Sequence, residues 1–73
     1  MKIYFDDAVA RESRPRVERI VRETLVGRQG AGALSVSIGR YGVDRWSIFV
    51  TGSQEHPLPI VESIRSALER ESF

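Results

Sequence analysis

The chain has 73 residues, 41% of them hydrophobic, no cysteine and a formal net charge of +1. A chain this short holds one domain and buries only about 60% of its unfolded surface, and the missing cysteine excludes a disulfide scaffold and thiolate metal sites. Near-neutral charge is not a nucleic-acid footprint, although residues 8–50 carry +4, residues 51–73 carry −2 and residues 1–7 carry −1.

The arginines account for ten of the eleven basic residues, which reads as compositional bias more than phosphate binding. The narrow stability margin of so small a core raises the expectation of a dimer. Met1-Lys2-Ile3-Tyr4-Phe5 has no long apolar run, so neither a signal peptide nor a membrane-spanning helix is expected, and a cytoplasmic location is the default.

Residues 2–5 read as a short strand with Ile3 and Phe5 facing a core and Lys2 and Tyr4 facing away. Asp6 and Asp7 end it, in the manner of turn and helix-start aspartates rather than of a cation site. A helix is expected from Ser13 as N-cap, with Pro15 in its first turn. Val17, Ile20, Val21, Thr24 and Leu25 recur at helical spacing and form its buried stripe. Glu18 and Arg22 are placed to pair at i,i+4 on the wet side. Gly27 is the helix stop.

Gly27-Arg28-Gln29-Gly30-Ala31-Gly32 is a connection in which backbone and Arg28 have the means to meet a phosphate. It follows a helix instead of opening one, so a plain loop is the expected reading. Residues 33–51 read as a β-hairpin. Leu34, Val36 and Ile38 share one face with Trp46, Ile48 and Val50. Ser35 and Ser37 share the other with Arg45, Ser47, Phe49 and Thr51. A loop from Gly39 to Asp44 joins the two strands.

A turn follows at residues 52–55. His56, the sole histidine, stands before Pro57 at a helix entry and reads as a cap or surface residue, not a catalytic base. The last helix buries Leu58, Val61, Ile64 and Leu68, with Ile60 and Ala67 at the edge of the stripe, and frays near Glu71 and Ser72. Phe73 either covers a core edge or projects as a contact.

The element order β-α-β-β-α defines an α+β two-layer sandwich. A three-stranded mixed sheet of order 1-3-2, with both helices on one face, is expected, as in a truncated ferredoxin-like fold. The other face holds Tyr4, Ser35, Ser37, Arg45, Ser47 and Phe49 and has no element left to cover it. No nucleophile–base pair, cofactor fingerprint or metal-ligand cluster is evident, so neither an enzyme nor a cofactor is expected. The favoured reading is a non-catalytic interaction or assembly domain that self-associates through the open face or an edge strand.

Two partial resemblances carry the alternative. Gly27-Arg28-Gln29-Gly30 after a helix, with Ile48-Phe49-Val50-Thr51-Gly52-Ser53 leading into a terminal helix, resembles parts of a KH RNA-binding module. That resemblance implies backbone clamping by the loop, although here a strand follows where the family has a second helix. The order of elements also resembles an RNA recognition motif lacking its last strand. Ile3-Tyr4-Phe5 is similar to the start of that family's first-strand motif, which implies a stacking role for Tyr4; Ser47 stands where an aromatic is the rule. Each resemblance covers under half the chain and assigns it to neither family. The alternative they support is single-stranded RNA binding, with Tyr4 and Phe49 stacking bases and Arg28, Arg40 and Arg45 on phosphates. Nucleic acid is the less favoured partner and a membrane is not expected.

Overall fold

The computed structural model describes residues 1–28, 31–43, 45–52 and 56–71. Three strands, β1 (Lys2–Phe5), β2 (Ser35–Arg40) and β3 (Trp46–Thr51), form one mixed sheet. Two helices, α1 (Arg14–Leu25) and α2 (Pro57–Arg70), complete an α+β layer pair. The hydrophobic core lies between them. Val36, Ile38, Trp46 and Val50 from the sheet meet Val17, Ile20, Val21 and Leu25 of α1 and Ile60, Ile64, Ala67 and Leu68 of α2.

The strand order is 1-2-3, not the expected 1-3-2. β1 pairs directly and in parallel with β2, and β3 lies antiparallel at the far edge. The ferredoxin-like arrangement, with the third strand inserted between the first two, is therefore not the one adopted. Both orders put the same side chains on the same faces, so hydrophobic alternation alone does not choose between them. The adopted order fits the side-chain sizes on the uncovered side. β2 carries only Ser35, Ser37 and Gly39 on its uncovered side. A Cβ built on Gly39 would lie 3.4 Å from Asp6 Cβ and 3.5 Å from Ser47 Cβ. Small residues suit the central strand because larger neighbours lean over it from both sides.

The chain enters α1 through a 3-10 turn, Arg11–Ser13. Ser13 occupies the N-cap position but makes no side-chain cap bond, because the turn already leads into the helix in near-helical conformation. Glu18 and Arg22 form the expected pair at 2.8 Å. Both side chains are nearly half exposed, so the pair contributes only a few tenths of a kcal/mol. Gly27 has φ +84° and Arg28 N–H donates to Leu25 O at 3.1 Å, which closes the helix.

At α2, His56 is the N-cap, and its Nδ1 accepts from Leu58 N–H at 3.3 Å. The buried stripe is turned toward Ile60 and Ala67, and Leu58 is left 57% exposed. α2 packs on both α1 and β3, and the side of the helix facing that angle runs through Ile60, Ile64, Ala67 and Leu68. Val9 also joins the core at 2% exposure, a position that periodicity does not flag because the residue stands alone in a loop. Among the described residues no helix is long and apolar enough to cross a membrane.

Candidate functional site: the uncovered sheet face

The register fixes what the open face presents. Tyr4 pairs with Ser37, and Ser37 with Phe49, so the three form one row across the sheet. Strand spacing puts the two aromatic backbones about 10 Å apart. Tyr4 is 53% and Phe49 66% exposed, and the serine between them leaves a gap. On one side of this row lies a second, Lys2–Ser35–Thr51. On the other side Gly39 pairs with Ser47, and Asp6 continues β1 beside them through Asp6 N–H to Ile38 O at 2.8 Å.

The third row forms a depression of about 280 Å³, lined by Tyr4, Asp6, Ser37, Gly39, Ser47 and Phe49 together with Phe5 and Ile38. Gly39 makes its floor. Asp6 Oδ1 accepts from Ala8 N–H at 3.0 Å. Asp6 Oδ2 lies 3.6 Å from where a Cβ on Gly39 would be, so it leans over the floor. Neither Asp6 nor Lys2 is in an ion pair among the described residues. A wider hollow of about 710 Å³ on the helix side, lined by Thr24, Glu62, Ser63, Ser66 and Arg70, contains no aromatic side chain.

Arg14 holds Asp6 in place. Its Nε donates to Val9 O at 3.1 Å, its Nη2 donates to Asp6 O at 3.3 Å, and its guanidinium carbon lies 5.7 Å from the centre of the Phe5 ring. One side chain thus ties the loop after β1 to the first turn of α1. Arg14→Ala is expected to cost about 1–2 kcal/mol, the worth of two hydrogen bonds and a cation–π contact. Urea unfolding reads this as a lower midpoint with unchanged slope.

The residues singled out by sequence divide between two sides of the sheet. Tyr4, Ser35, Ser37, Ser47 and Phe49 come together on the open face, and Arg45 stands exposed one residue before β3, in phase with Ser47. Arg28 and Arg40 are elsewhere. Arg28 donates to Ser63 Oγ of α2 at 3.1 Å. Arg40 pairs across the hairpin with Trp46, its guanidinium carbon 5.0 Å from the indole centre, and it donates to Val43 O. Trp46 is buried in the core, so Arg40 caps the helix side of the sheet. Gln29 and Gly30 of the glycine-rich loop lie outside the described residues, as do Asp44, residues 53–55, Ser72 and Phe73.

Sequence reading missed Asp6 and Gly39 as members of the site. It placed Gly39 in the hairpin turn, whereas the strand continues through Arg40. It also expected a different neighbour for β1, and only direct β1–β2 pairing puts Asp6 beside Gly39. No protein-family model matches the chain, and neither a curated protein nor a solved structure matches it. The open face therefore has to be interpreted from its own geometry.

Proposed function

We propose that this chain is a non-catalytic assembly domain that pairs with a second copy of itself through the open sheet face. The observation that carries the reading is the Tyr4–Ser37–Phe49 row, two exposed aromatics flanking a small residue on a face that no element among the described residues covers. Aromatic side chains are enriched in interface cores and contribute strongly when buried. The surrounding charges, Lys2, Asp6 and Arg45, are mixed in sign and sum to +1, which suits a protein surface more than a phosphate backbone. Single-stranded RNA binding would use the same aromatics, but Arg28 and Arg40 are engaged on the helix side of the sheet. That leaves Arg45 alone of the three arginines on the aromatic side, too little charge for a strand-tracking groove.

Size bounds the affinity. Three strands about 4.8 Å apart and six residues rising about 3.3 Å each span roughly 14 by 20 Å. Two stacked copies then cover roughly 280 Å² on each side, about 560 Å² in total, below the ~1,200 Å² at which specific, stable interfaces begin and in the range of weak, transient ones. A dissociation constant of roughly 10–100 μM is expected.

Phe49→Glu tests the reading. It puts a charge at the centre of the contact without touching the core, and is expected to raise the dimer dissociation constant at least tenfold. Sedimentation equilibrium should find a folded monomer at concentrations where the parent chain is a dimer. A dimer retained in Phe49→Glu rules out this face.

A further inference from the structure

The three rows of the open face are not alike, and their difference has a consequence for symmetry. Lys2 stands two residues before Tyr4 on β1, and Asp6 two residues after it, just past the end of the strand and still bonded to Ile38 O. The Lys2 row is basic and filled by Ser35 and Thr51. The Asp6 row is acidic and contains the depression over Gly39. A stacked, two-fold related pair of such sheets has two simple arrangements. With the axis along the strands, β1 of one copy lies over β3 of the other, Asp6 falls over Ser47, and Arg45 stands one row, about 7 Å, beyond it, while Lys2 falls over Thr51 with no acid at its level. With the axis along the aromatic row, each strand lies antiparallel over its own counterpart. Lys2 then falls over Asp6 at equal offset, Ser35 over Gly39, and Thr51 over Ser47.

We infer that the open face pairs about a two-fold axis running along the Tyr4–Ser37–Phe49 row, seating Lys2 of each copy in the other copy's depression against Asp6. This rests on the assembly reading above and names its geometry. The occupant follows from charge complementarity. The depression offers a carboxylate oxygen directed over its glycine floor, with the ring of Tyr4 beside it. That combination receives an ammonium group through a charge-assisted bond and a cation–π contact. Lys2 is exposed, and its chain has four carbons with which to cross the gap between sheets. The contact is made twice by symmetry, so each charge counts doubly in the dimer.

The pairing predicts a pattern of rescue. Lys2→Glu alone creates two acid–acid contacts, and Asp6→Lys alone creates two lysine–lysine contacts. Each variant by itself is expected to dimerise at least tenfold more weakly than the parent chain, because facing like charges repel. An equimolar mixture of the two restores both contacts, one as in the parent chain and one with the charges exchanged. It should form a heterodimer with an affinity within about threefold of the parent, a tolerance of some 0.6 kcal/mol. Sedimentation with one variant fluorescently labelled reads this directly.

Circular dichroism confirms that each variant is folded. If Asp6→Lys disturbs the turn through Ala8 N–H, Asp6→Asn keeps an acceptor there and should still weaken the dimer. An unaffected Lys2→Glu dimer, or a mixture without rescue, overturns the axis. If Phe49→Glu still dissociates that dimer, the open face stands as the interface and only the axis is wrong. A parent chain that stays monomeric at the highest concentration overturns both.

Discussion

Replacing Ile64 by alanine is expected to cost about 3–4 kcal/mol of folding stability, within the range for deleting a large aliphatic side chain from a packed core. Ile64 has no exposed surface, and sits mid-way along α2 among residues of α1 and the sheet. A chain of 73 residues has a total stability of roughly 4–11 kcal/mol. The substitution therefore removes a large share of it, and at the low end of that range it unfolds the protein. The neighbours cannot collapse into the space easily, because Val17, Val21, Val36 and Leu68 around the core are themselves fully buried and held on separate elements. Leu58→Ala is the matched control. Leu58 is on the same helix but 57% exposed, so its loss should fall within about 0.5 kcal/mol. Chemical denaturation of the two variants decides whether the buried stripe of α2 is centred where the structure has it.

Gly52→Ala is expected to destabilise by about 2–4 kcal/mol, from two causes that can be separated. Gly52 has φ +81°, and a Cβ there would lie 2.5 Å from the carbonyl oxygen of Ala33. Either that backbone moves, at the point where the chain enters β2, or Gly52 does, at the point where it leaves β3. Both shifts disturb the end of the β2–β3 ladder, where Ser35 pairs with Thr51. Gly42→Ala isolates the first cause. Gly42 has φ +86° but nothing within 4 Å of its Cβ position, so only backbone strain applies, about 1 kcal/mol. The difference between the two variants, measured by thermal or urea unfolding, gives the cost of the clash.

Much of the architecture could be read from the sequence, because each element announces itself locally. Residues 2–5 alternate, α1 repeats Val17, Ile20, Val21 and Leu25 at helical spacing, and the hairpin keeps its apolar side chains in phase on both strands. Strand order could not be read by the same means. It depends on which strands become neighbours, and the face pattern is unchanged by exchanging β2 and β3. The run of small residues on one side of β2, Ser35, Ser37 and Gly39, fits a central strand but has no local signature that excludes the other order. The phase of α2 was misjudged for a related reason. A stripe through Leu58 and Val61 and one through Ile60 and Ala67 are both apolar, and only the angle between α1 and β3 selects the second.

The same distinction runs through the candidate site. Tyr4, Ser37, Ser47 and Phe49 were placed on one face by parity alone, which strand pairing preserves. Asp6 and Gly39 meet only through the correct β1–β2 register. Sequence alone puts Arg40 in the loop of residues 39–44, free to meet a phosphate; in the strand, its parity matches Ile38 and sends it over Trp46. Arg28 is drawn to Ser63 by the packing of α1 on α2, a long-range contact without local signature.

The central claim is that the open face closes on a second copy, and solution mass across a concentration series tests it most directly. Light scattering from low micromolar to millimolar chain concentration should show a mass rising from that of the 8.2 kDa chain to twice that value, with a midpoint of roughly 10–100 μM. The mass should then level off, because a two-fold contact uses the same face on both copies and leaves none free. A mass that stays at the single-chain value throughout contradicts the account. In that case Tyr4 and Phe49 remain exposed, and a titration with mixed single-stranded oligonucleotides at low salt becomes the next test of what they meet.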